Sequence, residues 1–211
     1  MLRIIKNDFY LMRKNLIFIV LYNNIFPLLF HSWIQGILFV NMGVYVFIIS
    51  LLSVEQTDSI HRLYKLLPVK TGKVVGAKYF EALLITLLGT AISFVLSFVC
   101  RWGAVAFHHP FFERMPEMSA VAAGGMIACP MLTTALLLPV VYKLGVIKSR
   151  YILIIAWVFL SMAMSTFLSI SGENSTAFLN GWYCLGIGIV GLGVLLFASF
   201  RLSKRFFLQY D

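Results

Sequence analysis

Glu55-Gln-Thr-Asp-Ser-Ile-His-Arg-Leu-Tyr-Lys-Leu-Leu-Pro-Val-Lys-Thr-Gly-Lys73 is the longest polar interruption in an otherwise apolar chain. Within it Ile60, Leu63, Tyr64 and Leu67 recur at i, i+3, i+4 and i+7, the spacing of one helical face. Ser59, His61, Arg62 and Lys65 fall on the other sides. Asp58 is suited to cap the start, because its carboxylate accepts amide hydrogens that the first turn leaves free. Pro68 biases Leu67 out of the helical region and marks the stop. The spacing therefore predicts a helix of about ten residues, roughly 15 Å long. That is too short to cross a bilayer, yet one side is apolar. Between two membrane spans such a stripe must rest on lipid or on a partner protein, and we read a partner.

Outward from this stretch the chain is oily. Hydrophobic residues make up 61% of the 211 and charged residues only 12%, which excludes an ordinary soluble domain. Six runs are long enough to span a membrane, at 16–33, 36–54, 79–100, 119–142, 151–170 and 181–200. Asn23, Asn24 and His31 interrupt the first. Lys and Arg sort between the two sides. Arg3, Lys6, Arg13 and Lys14 precede span one; Arg62, Lys65, Lys70, Lys73 and Lys78 lie between spans two and three; Lys143, Lys148 and Arg150 follow span four; Arg201, Lys204 and Arg205 close the chain. Only Arg101 and Arg114 fall on the opposite side. By the positive-inside rule both termini are cytoplasmic, and six spans satisfy that parity. The formal charge of +9 is thus topological information and no sign of a nucleic-acid partner.

Residues 1–15 add an amphipathic start. Leu2, Ile5, Phe9, Met12 and Leu16 step by three and four, while Arg3, Lys6, Asn7, Asp8, Arg13 and Lys14 fill the gaps. This predicts a helix lying in the headgroup plane. The reading is one all-α transmembrane domain over 1–211. It comprises an interfacial helix at 1–15, spans one and two in 16–54, a cytoplasmic linking segment at 55–73, and spans three to six with a cytoplasmic tail in 74–211.

Polar groups at membrane depth are candidates for a pathway or gate, because burying them unpaired is costly. They are Asn23, Asn24, Asn41 and Glu81. For Glu81 a bland account competes, since Lys78 stands at i−3 and can neutralise it across one turn. Gly89, Ser93 and Ser97 form a ladder of small residues that lets helices approach closely. Pro130 and Pro139 in span four can kink it and free backbone carbonyls. The outer connection 101–118 carries interfacial aromatics and the adjacent His108 and His109, which are poorly placed for joint metal ligation. Cys100, Cys129 and Cys184 read as small hydrophobes within membrane helices.

The chain shows no Gly-x-x-x-x-Gly-Lys-Ser/Thr loop, no His-Glu-x-x-His and no Gly-x-Ser-x-Gly, so we expect no ATP, cofactor or metal site and no enzymatic activity in it.

Glu55, Asp58, Leu67-Pro68-Val69-Lys70 and Val74-Val75-Gly76-Ala77-Lys78-Tyr79 resemble the small six-span permease subunits of type-2 ATP-binding-cassette exporters in Gram-positive bacteria. Members carry an acidic residue, a short helix, a Leu-Pro-Val turn with basic residues, and an apolar-apolar-x-Ala/Ser-Lys-aromatic start to span three. The resemblance implies that 57–67 is a coupling helix seated in a cleft of a separate ATPase subunit, which binds ATP and Mg. Ile60, Leu63, Tyr64, Leu67 and Pro68 would then form the docking face, with Glu55, Asp58, Arg62 and Lys65 setting orientation. It further implies a bacterial plasma membrane location, a second permease copy forming a homodimer, and export of an amphipathic, peptide-like or antibiotic substrate. Two readings of other classes stay open. One is a non-transporting immunity or sensor subunit binding a partner through the same helix; the other is a membrane-embedded enzyme or channel.

Overall fold

The structure, a computed structural model, describes residues 2–13, 33–57, 71–107, 120–149 and 182–209, together with positions 17, 25, 29, 151, 154, 155, 158, 159, 162 and 166. Its elements in chain order are α1 (Leu2–Leu11), α2 (Trp33–Thr57), α3 (Thr71–Phe107), α4 (Ala120–Leu144) and α5 (Trp182–Gln209). Among the described residues there is no strand. Among the described residues three helical segments are long and apolar enough to cross a membrane: Gly36–Glu55, Thr71–Ala106 and Ala123–Leu144.

The runs expected at 36–54, 119–142 and 181–200 fall on α2, α4 and α5. Those at 16–33 and 151–170 lie mostly outside the described residues, as do 58–70 and His108 and His109. Span three belongs to a longer helix. Expected at 79–100, it is part of a helix of 37 residues that begins at Thr71 and continues to Phe107, into the segment read as outer connection. Hydropathy marks where a helix meets water, whereas a helix stops only where the backbone is broken. No proline lies between Thr71 and Phe107 to break it.

The core explains the arrangement. α4 is the hub, packed against α2, α3 and α5, while α1 packs on α3. Val44, Phe47 and Leu51 of α2 meet Val74, Val75 and Ile85 of α3 and Leu137, Leu138 and Val141 of α4. Phe9 of α1 sets its ring 5.9 Å from that of Phe47. The outer faces are equally apolar: Phe94, Phe98 and Trp102 of α3 and Val194 and Phe197 of α5 are exposed. That is the surface lipid tails would wet, and it means contact between helices rests on fit and on hydrogen bonds. On α3 the buried hydroxyls answer their own helix. Thr86 donates to the Ala82 carbonyl at 2.7 Å, Thr90 to Thr86 at 2.9 Å and Ser93 to Gly89 at 3.0 Å. A polar stripe is thereby buried with its donors used.

α4 ends at Gly145, whose φ of 79° is left-handed. Its amide bonds the Val141 carbonyl at 2.8 Å, the closure of a glycine-capped helix end.

Pro139 lies inside α4 and has no amide hydrogen, so the Ala135 carbonyl four residues earlier loses its helical donor. Ser199 of α5 supplies one, its hydroxyl donating to Ala135 O. That spends the only hydrogen Ser199 has. The 2.6 Å contact between Ser199 and Tyr79 is therefore a donation by Tyr79, and the 2.9 Å contact between Tyr79 and Ser203 a donation by Ser203. One directed chain, Ser203 to Tyr79 to Ser199 to Ala135 O, staples α3, α4 and α5 at the carbonyl that proline leaves open. Ser199→Ala should cost about 1–3 kcal/mol, the penalty of a buried carbonyl without a donor. In a Pro139→Ala background, where the amide returns, the same change should cost clearly less. Unfolding of the four variants in detergent measures this, and equal costs in both backgrounds would refute the assignment.

Candidate functional site

The elements that carry basic residues converge on one end of the bundle. Lys78, in the second turn of α3, meets Asp8 of α1 and Glu55 near the end of α2. Tyr142 near the end of α4 stacks edge-on against Phe207 of α5 at 5.4 Å, and the Lys143 ammonium sits 5.6 Å from the Phe206 ring. Lys6, Lys73, Lys143, Lys148, Lys204 and Arg205 are all exposed around this end. Arg101, on the far part of α3, is separated from them by the length of the membrane span.

Inside that rim lies the one withdrawn cation among these. Lys78 is 1% exposed. Its Nζ donates to Asp8 Oδ2 at 2.7 Å and to Glu55 Oε1, and stands 3.8 Å from Glu81 Oε2. Asp8 and Glu81 are each 1% exposed. Glu81 also stands beside the Asp8 carboxyl, and the Tyr142 hydroxyl has no hydrogen-bond partner among the described residues. So a single ammonium answers three carboxyl groups from three helices. The two it bonds come from other helices, and the one on its own helix is held only at ion-pair range.

This arrangement corrects one expectation and adds to two others. Asp8, read as part of the solvated side of the interfacial helix, shares the buried face with Ile5 and Met12, at i−3 and i+4. Lys78 does pair with Glu81 across one turn, at 3.8 Å, and is bonded as well to Asp8 and Glu55 from two other helices. Glu55, expected to help orient the docking helix, is buried and faces Lys78. Buried carboxylates so near an apolar core are far less costly beside an ammonium than alone. Sequence periodicity could not pair positions 8 and 78. The available signal was a lysine two turns inside a helix, with acids at 8, 55 and 81.

Of the other expected residues, Asn41 is fully buried and accepts a 2.6 Å bond from Thr133 of α4. Thr134 donates to Pro130 O at 2.7 Å. Asn23, Asn24, Asp58, Ile60, Arg62, Leu63, Tyr64, Lys65, Leu67 and Pro68 lie outside the described residues.

The sequence model of the ABC-2 family transporter proteins matches residues 3–207, nearly the whole chain. The chain belongs to the ABC-2 family. No curated protein and no solved structure matches it. Membership makes this a transmembrane subunit of an ATP-binding-cassette transporter, a class whose membrane subunits work with an ATPase subunit. In this chain the charge cluster joins the last turn of α2 to the second turn of α3.

Lys78→Met should lower stability by about 3–5 kcal/mol, since it strands buried carboxyl groups. Lys73→Met, at an exposed position five residues earlier, should stay within about 0.5 kcal/mol of the parent. Unfolding of purified protein in detergent checks both; equal effects would remove the cluster from the account of stability.

Proposed function

We propose that this ABC-2 chain is the permease of an exporter, driven by a separate ATPase that docks on the 57–67 helix. Two copies form the translocation pathway for an amphipathic or hydrophobic substrate, a peptide or antibiotic, in a bacterial plasma membrane, with both termini cytoplasmic. ATP and Mg belong to the ATPase.

The family match over 3–207 carries the reading. The bundle supports its mechanical part. α2 ends at Thr57 and α3 begins at Thr71, and both feet of the intervening segment stand at the end ringed by exposed lysines and arginines. That is the end the positive-inside rule would place in the cytoplasm, where an ATPase works. On this reading Ile60, Leu63, Tyr64 and Leu67 bury their stripe in the ATPase. At about 1.5–3 kcal/mol for each side chain, such burial could hold the helix to its motor. The apolar interior suits a substrate that is itself partly apolar.

The test reconstitutes the permease with a candidate P-loop ATPase subunit. Leu63→Asp and Tyr64→Asp should each weaken the complex by about 100-fold or more, as a charge replaces a buried apolar group. Co-purification and permease-stimulated ATP hydrolysis should fall together. Retention of both in either variant would remove the docking face.

A further inference from the structure

Lys78 is withdrawn from the headgroups that every other described lysine at its end of the bundle can reach. A lysine serving only topology would extend its ammonium outward. Here the side chain turns inward and is met by groups from two other helices. Where those groups come from is informative. Glu55 stands two residues before the end of α2, and Lys78 stands about 10 Å, or two turns, beyond the start of α3. The two bracket residues 58–70 on either side. Asp8 brings in α1, where it shares the buried face with Ile5, continued by Met12 just past the helix end.

We propose that Lys78 is a positioning residue: it ties both feet of the 58–70 segment and the N-terminal helix α1 to one point, so that the three move as a unit. The inference rests on the reading that 57–67 engages an ATPase, and it adds that α1 belongs to the moving part. The chemistry favours position over cohesion. Removing Lys78 alone strands its partners, but whole buried ion clusters can often be replaced by apolar side chains without loss of stability, so what the intact cluster adds is which groups meet. Its hydrogen bonds to Asp8 and Glu55 add direction to the packing of α1 and α2 on α3.

The experiment takes Asp8→Asn, Glu55→Gln, Lys78→Met and Lys78→Arg, with Lys73→Met as control, in the full chain in lipid nanodiscs. Two readouts are needed. Hydrogen exchange of the amides of residues 5–12 is followed in the permease alone. Co-purification and stimulated ATP hydrolysis are followed with the P-loop ATPase. Asp8→Asn and Lys78→Met should speed exchange in α1 by about tenfold or more, since each removes a charge-assisted anchor. The ATPase should still co-purify, because the apolar docking stripe is untouched. Its stimulation should drop by about fivefold or more, and Lys78→Arg should recover most of it. Lys73→Met should change nothing.

Unchanged exchange and unchanged stimulation in Asp8→Asn and Lys78→Met would overturn the proposal. So would loss of co-purification and stimulation together, with Lys78→Arg no better than Lys78→Met, which would mark a purely structural role. Should Lys78→Met not fold, the near-isosteric Asp8→Asn and Glu55→Gln decide the matter alone. If the unaltered permease neither retains nor stimulates the ATPase, the docking reading fails, while α1 exchange still decides whether the anchor exists.

Discussion

A charge removed from water must find its counter-charge within the protein, and in a membrane bundle there is little else to choose from. Lys78 satisfies this constraint by recruiting Asp8 and Glu55 from two other helices. The requirement fixes more than the lysine. α1 must approach with Asp8 inward, which also turns Ile5 and Met12 to the core and Lys6, Tyr10 and Arg13 outward. α2 must end with Glu55 facing α3. The apolar contacts around them, such as Phe9 on Phe47, then follow from an orientation already set.

The same rule governs the uncharged polar groups. A bundle in hydrocarbon gains little from the hydrophobic effect between helices, so a backbone carbonyl left open by proline is a place where another helix can be held. Pro139 leaves Ala135 open and Ser199 closes it, with Tyr79 and Ser203 completing the chain of donors. Asn41 and Thr133 make the corresponding link between α2 and α4. Proline here serves as an attachment point as much as a bend.

The sequence displayed these features unevenly. Apolar runs placed α2, α4 and α5 well, because burial and lipid contact both demand long oily segments there. The run at 79–100 marked the oily middle of α3 and not its full length, because Lys73 and Arg101 change the solvent a helix meets without breaking its backbone. The distribution of Lys and Arg told which segments share an end, and the contacts among α1, α3, α4 and α5 agree with it. Glu81 and Asn41 stood out as polar residues at depth, but their partners did not, since Thr133 and the Lys78 cluster depend on contacts between distant positions. Asp8 was hidden for the same reason. Its neighbours Lys6, Asn7 and Arg13 made the whole side look solvated, and only a cation 70 residues away turns it inward.

The unbroken length of α3 has a mechanical consequence. Its 37 residues make a rod of about 55 Å, nearly twice the hydrocarbon thickness of about 30 Å. With no proline to absorb bending, a rotation at one extremity is delivered at the other instead of being dissipated along the way. Pivoting such a rod by about 5° sweeps its far tip through about 5 Å, comparable to the width of a peptide backbone. Lys78 grips that rod near its base, where small displacements are geared up most.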